Sequence, residues 1–292
     1  MKITYPVPAE TTSVFVVAAD RRPVDLDAVV PWRMSGPHRR AASRVIGTPR
    51  LDLRVFPAAQ SPWRRTSLGD EGRAALHAAR HHVVVTATAP VAEQPEAAQV
   101  ARAVARGVAD ACRGVIVDVL TGGVVPHRTG YQAEPGEFRL EDDWLGWSTD
   151  IGSDGSCPPW DPAGSGACTC LTVATRGLRR FGLPEITLEG AACAHGLCTV
   201  SVLRTVARSL LPGHLAWSAA SPETRCRTIG EHLWIGGAES VRVSGAADPG
   251  RRPFRVRLGS RADGSCLSVG PPSGFAGTLN DWLCRTPALL AA

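Results

Sequence analysis

The run from His82 to Ala89, HVVVTATA, is nearly continuous in Val, Ala and Thr, the pattern of a strand covered on both faces. Shortly after it, Pro95 stands where the first position of a helix tolerates proline. Ala97, Val100, Ala101, Val104, Val108 and Ala111 then recur at helical spacing. Gly114 is placed as a C-terminal glycine, and Val115 to Leu120 is a second apolar run. This order predicts a β-α-β crossover: adjacent parallel strands at His82–Ala89 and Val115–Leu120, joined by a Pro95–Cys112 helix.

The remaining segments are read around that unit. Val14 to Ala18 predicts a strand, Asp25 to Trp32 a short helix, and Arg44–Ile46 with Leu51–Phe56 two strands about the Gly47-Thr48-Pro49 turn. Ser67 is placed to cap a helix through Arg80. Together with His82–Ala89, these give the order βαββαβ, a ferredoxin-like first half over the first ninety residues. The crossover unit then continues it as a second half.

Downstream, residues 122–166 are loop-rich and acidic, with a strand at Trp144–Thr149. Cys168–Ala174 and Glu185–Leu188 read as strands, and Cys198–Leu211 as an amphipathic helix stopped by Pro212-Gly213. Short strands follow at His232–Ile235, Val241–Val243, Phe254–Leu258 and Cys266–Val269, then a short helix at Leu279–Cys284. The expected fold class is α+β: one domain over 1–258, with a C-terminal extension, 259–292, packed on it in a β-rich tail.

Between two of these strands lies TRGLRRFGLPEITLEG, Thr175 to Gly190. Gly177 and Gly182 permit unusual backbone angles, Pro184 fixes the start of the next strand, and Leu178, Phe181 and Leu183 are placed to plug the connection onto the core. This segment resembles the hallmark of an uncharacterised bacterial family of unknown function, DUF 4261. LDLRVFPAAQSP, ALHAARHHVVVTATA, GVIVDVLTGGVVP and CRTIGEHLWIGGAESVRVSG resemble further family segments in the same order, so the resemblance covers most of residues 14–258. It departs at Val117-Asp118-Val119, where the family strand carries aromatic residues, and at the diluted turn Ala58-Ala59-Gln60. The resemblance implies a fold and carries no catalytic residues with it.

Charge narrows the partners. Lys2 is the only lysine, so the arginine content reads as codon bias rather than as a binding code. Residues 21–73 hold eleven arginines against five acids, and 134–161 hold eight acids against Arg139 alone. No recognition motif accompanies the basic stretch, so both are read as solvated faces or as partners of each other, and nucleic-acid binding is not expected. No run reaches the ~18 apolar residues of a membrane span, and no signal-peptide pattern opens the chain. These features predict a cytoplasmic protein whose nine cysteines are reduced and largely buried as small apolar residues.

Four sets of residues carry candidate chemistry. Cys157, Cys168, Cys170, Cys193, His195 and Cys198 are of the types zinc prefers, but Cys193-Ala-His195-Gly-Leu-Cys198 is no standard knuckle, so the expectation is that no cofactor is bound and that zinc is the lesser alternative. Cys198 near a helix start, with His195 close by, is the candidate nucleophile and base. Asp118 inside a Val-rich strand needs a partner, for which His127, Arg128 and His82 are the candidates; Asp118 and His127 are the alternative catalytic residues. Trp144, Trp147 and Trp160 around the acidic loop are candidates for the rim of a ligand pocket. The favoured function is a non-catalytic module binding a small molecule or a protein. The alternative is an enzyme of specialised metabolism with its site under the 122–166 loop.

Overall fold

The computed structural model describes residues 1–22, 34–127, 133–152, 168–235, 254–261 and 264–285. The chain forms two compact units. The N-terminal unit is Pro8–Gly146 with Arg180–Gly182; the C-terminal unit is Met1–Val7 with Trp147–Arg179 and Leu183–Ala292. The class is α+β. Among the described residues no helix is long and apolar enough to cross a membrane.

Strand β1 (Lys2–Pro6) belongs to the C-terminal unit. The N-terminal unit starts with β2 (Glu10–Ala19), followed by helix α1 (Arg39–Val45), β3 (Leu51–Pro57), α2 (Asp70–Ala78), β4 (His81–Pro90), α3 (Glu96–Cys112), β5 (Val115–Asp118) and β6 (Val124–Val125). Its sheet has the order β3-β4-β2-β5-β6, and every neighbouring pair is antiparallel.

The expected adjacency of β4 and β5 is therefore corrected: they run parallel, but β2 lies between them. The reason is burial. From Ser13 to Ala19 every residue of β2 is buried, so the strand needs a neighbour on each edge and a layer on each face. Val14, Val16 and Ala18 pack with Leu68, Leu76, Val84 and Val117. Phe15 points to the opposite face, where it sits opposite Asp118 and meets Trp144 edge-on.

Two further expectations fail here. Arg44 and Val45 end helix α1 rather than forming a strand, and only single bridges from Ile46 and Thr48 to Leu51 remain of the hairpin. The βαββαβ order assigned to the first ninety residues thus loses its second strand, while the expected helix at 25–32 lies outside the described residues. Gly114 does not supply the left-handed cap of α3; Arg113 does, at φ 53°. Gly114 is required for another reason: a Cβ there would lie 2.5 Å from Val17 Cγ1 and 2.9 Å from the Ala18 carbonyl oxygen.

The C-terminal unit contains β7 (Gly146–Ile151, whose first residue belongs to the other unit), β8 (Leu171–Arg176), β9 (Glu185–Ala191), α4 (Gly196–Ala220), β10 (Cys226–Gly230), β11 (His232–Ile235), β12 (Phe254–Ser260), β13 (Cys266–Gly270) and α5 (Leu279–Arg285). Its sheet order is β11-β12-β13-β9-β8-β7, and β1 pairs with β10 separately. β12 runs through residue 258, and β13 lies between β12 and β9, parallel to the latter. Residues 266–270, beyond residue 258, are thus woven into the sheet. The expected strand at Val241–Val243 lies outside the described residues.

Pro212 does not stop α4. An interior proline costs about 3 kcal/mol, and burial of His214 and Ser218 beyond it keeps the last turns in place. His214 is fully buried, with Nδ1 3.1 Å from the Tyr5 hydroxyl, so the continued helix also ties down β1.

Between β8 and β9 the chain turns as its glycines demand, with Gly177 at φ 113° and Gly182 at φ 78°. Glu185 organises the turn: its carboxylate accepts the Thr175 hydroxyl at 2.7 Å and the Gly177 N–H at 2.9 Å. Burial pushes the Glu185 carboxyl above its ordinary value. Leu178, Phe181 and Leu183 are all buried.

Candidate functional site

In the N-terminal unit a groove of about 430 Å³ opens between α1, the β3–β4 edge and α3. Small aliphatic side chains shape it. Ala87 and Ala89 of β4 form the floor with Leu51, while Val45, Ala97 and Val100 form the walls. Arg44, Arg50, Glu93 and Glu96, all exposed, also line it, and Arg50 is ion-paired with Glu93. Among the described residues the lining contains no His, Cys, Ser, Thr or Tyr, the usual carriers of nucleophilic or imidazole chemistry. It is therefore suited to hold an apolar body with a polar end.

Trp144 and Trp147 do not border this groove. Trp144 is 1% exposed and packs with Phe15, Phe138 and Phe181, and the Arg102 guanidinium lies 3.4 Å from its ring centroid. Trp147 is half-buried in the C-terminal unit, with Arg204 5.6 Å from its ring. Trp160 lies outside the described residues. The expected pocket rim is thus corrected for Trp144. In an arginine-rich core it serves as an aromatic platform for a buried cation.

Residues 133–144 cover α3, which is why that helix is buried almost all round from Ala98 to Ala109. The cover brings Glu134 inward. Its carboxylate accepts from Arg102 Nε and Nη2 at 2.9 and 2.6 Å, and from Arg106 Nε at 3.0 Å. The acidic stretch thus sends Glu134 to two arginines of α3 rather than to the basic stretch. The cleft beside Arg106 and Glu134 has only about 10 Å³, room for scarcely one water.

Asp118 and His127 are consumed by the same kind of pairing. Asp118 is wholly buried, and its partner is Arg180, not one of the three candidates read from sequence. His127 places Nε2 2.9 Å from Asp110 Oδ1 and Nδ1 3.5 Å from Arg106 Nη1, so both ring nitrogens face a partner. The sequence signal missed was Arg102 and Arg106, one turn apart on a helix whose other positions are mostly Ala and Val.

The cysteine pattern differs from expectation too. Of the eight described cysteines only Cys112 is buried; Cys193, Cys226 and Cys284 are exposed. Cys168, Cys170 and Cys193 bring their sulfurs within 4.8 Å of one another. The Cys168–Cys170 separation is 2.9 Å and the Cys170–Cys193 separation 3.1 Å. Cys157 lies outside the described residues. His195 and Cys198 do not join this set. His195 Nε2 is 3.6 Å from Cys284 Sγ, and no hydrogen bond links His195 to Cys198. Burial, with Cys284 beside it, pushes the Cys198 thiol above its ordinary value. A nucleophilic thiolate at Cys198, activated by His195, is therefore not supported by the geometry.

No protein-family model matches the chain, and searches of curated proteins and of solved structures find no match either.

Proposed function

We propose that this chain is a non-catalytic binding protein whose ligand lies in the groove of the N-terminal unit. The observation that carries the reading is the contrast between two sets of residues. The residues equipped for acid–base chemistry, Asp118 and His127, are spent on partners in closed packing. The open concave surface is lined by eight aliphatic residues and four charged ones, Arg44, Arg50, Glu93 and Glu96. Such a surface supplies burial energy and orientation without a reacting group. The ligand class is a small amphiphile: an aliphatic body over Ala87, Ala89 and Val100, with its polar end among Arg44, Arg50 and Glu96.

The same reading takes the N-terminal unit as ferredoxin-like. The order β5-β2-β4-β3 has two strand–helix–strand crossovers, each split by one strand, as that arrangement requires. The elements differ from those assigned by sequence: the six are β2, α1, β3, β4, α3 and β5. Kinship with the DUF 4261 family and a cytoplasmic location belong to this proposal. Its thiols would stay reduced there.

Titration with decanoate and with decylamine, followed by calorimetry, tests the reading with either polar end. Binding of one of them, weakened at least tenfold in Ala97→Phe, is the expected result. Ala97 is half-buried on the wall of the groove, so phenylalanine fills the space without entering the core. Failure of both compounds to bind, or equal binding by the variant, would overturn it.

A further inference from the structure

The three-sulfur cluster of the C-terminal unit is independent of the groove. We infer that Cys168, Cys170 and Cys193 form a binding site for a thiophilic d¹⁰ cation, zinc(II). Three thiols from two separate chain segments converge there, although two of the three follow each other at i, i+2 and the third is 23 residues on. The separations of 2.9 and 3.1 Å are shorter than the roughly 3.8 Å sulfur–sulfur edge of a tetrahedron with Zn–S bonds of about 2.3 Å, while all three sulfurs stay within 4.8 Å of one another. A small outward movement of Cys170 from its neighbours would seat the ion.

The surroundings hold both segments in register. Asn280 of α5 is 2% exposed. Its Oδ1 accepts the Ala192 N–H at 2.8 Å, and its Nδ2 donates to the Cys168 carbonyl at 3.2 Å. One buried amide thus fixes the backbone beside Cys193 and that of Cys168, the role an outer-sphere partner plays at a metal centre. Thr199 donates to the His195 carbonyl at 2.9 Å and so fastens the end of the turn that carries Cys193.

The electrostatics are consistent with a dication. Each thiol loses its proton to solvent as the ion binds, giving three thiolates around one Zn²⁺ and a net charge of −1 at the centre. Among the described residues these three cysteines supply three of the four tetrahedral donors. Cys193 is exposed, so an ion can reach the sulfurs from solvent.

Cobalt(II) titration of the full-length, reduced protein tests the site. The expected result is a thiolate-to-cobalt charge-transfer band that saturates at one ion per chain, with an intensity appropriate to three thiolates, and is displaced by zinc. Cys193→Ser should weaken the affinity by at least ~100-fold, the upper end of what losing even an outer-sphere partner costs. Cys226→Ser, which changes an exposed cysteine of β10, should leave it unchanged. Cys193 is on the surface, so this variant keeps its fold, and its circular dichroism provides the check. Absence of the band in the wild type would overturn the inference. So would an undiminished band in Cys193→Ser, or a disulfide among the three cysteines in freshly reduced protein.

Discussion

Arg180 Nη2 lies 2.7 and 2.6 Å from the two carboxylate oxygens of Asp118, and both side chains are wholly buried. The pair joins the last residue of β5 to the 178–181 turn, 62 residues away. Removing one partner leaves an uncompensated buried charge. Arg180→Met should therefore destabilise the protein by about 3–5 kcal/mol. The double change Asp118→Leu with Arg180→Met should recover most of that loss, because desolvation then falls on neither group. Urea unfolding of the wild type and these two variants measures both quantities. A double variant no more stable than Arg180→Met would contradict the pairing account.

His82 supplies a pH dependence. It is fully buried on the α2 side of the sheet, its Nε2 lies 2.9 Å from the Leu76 carbonyl oxygen, and Nδ1 has no hydrogen-bond partner. Nε2 therefore carries the proton and donates. Protonating Nδ1 as well would bury a cation with no acceptor, near Arg64 and His77. Burial holds the imidazole below its ordinary value of 6.5. With the folded pKa depressed, the unfolded chain takes up the proton first as pH falls. Stability is complete above pH 6.5 and declines below it, by at most ~1.4 kcal/mol per pH unit for this one group. His82→Leu should flatten that slope between pH 6.5 and 5 in denaturation experiments. An unchanged slope would assign the dependence to other groups.

The tryptophans give a paired prediction. Trp144→Ala removes the ring between Phe15, Phe138, Phe181 and Arg102, and should cost about 3–5 kcal/mol. Trp147→Ala removes a half-buried ring of the other unit and should cost less than half as much, with no effect on decanoate or decylamine affinity. Thermal unfolding with a parallel binding titration distinguishes the two. Loss of binding in Trp147→Ala would return the ligand site to the acidic loop.

The sequence made β2, β3, β4, β5, β8, β9 and helix α3 legible, because Val-rich runs and the spacing of Ala97, Val100, Val104 and Val108 are local signals; β1, β6 and β10 were not read. The place of β2 between β4 and β5 was not legible. Strand order depends on which strand most needs two neighbours, and that emerges only when all faces are counted. Pro212 was read as a stop because local propensity says so, whereas burial of His214 and Leu211 overrides it. The glycine-bounded turn at Thr175–Leu183 could be read from its residues, but Arg180 within it could not be matched to Asp118. Nothing local marks a partner 62 residues distant. The thiols were visible as a composition; their convergence was not, since Cys193 reaches Cys170 only through the folding of β8 against β9.

The central claim is that the ligand occupies the aliphatic groove of the N-terminal unit, and alanine-methyl NMR tests it most directly. Ala41, Ala87, Ala89, Ala92 and Ala97 all line the groove, whereas Ala18 and Ala75 belong to the opposite face of the sheet. On titration with whichever of decanoate and decylamine binds, the five groove methyls should shift together along one saturable curve while Ala18 and Ala75 stay in place. Shifts absent from the five, or spread equally over both faces, would contradict the claim.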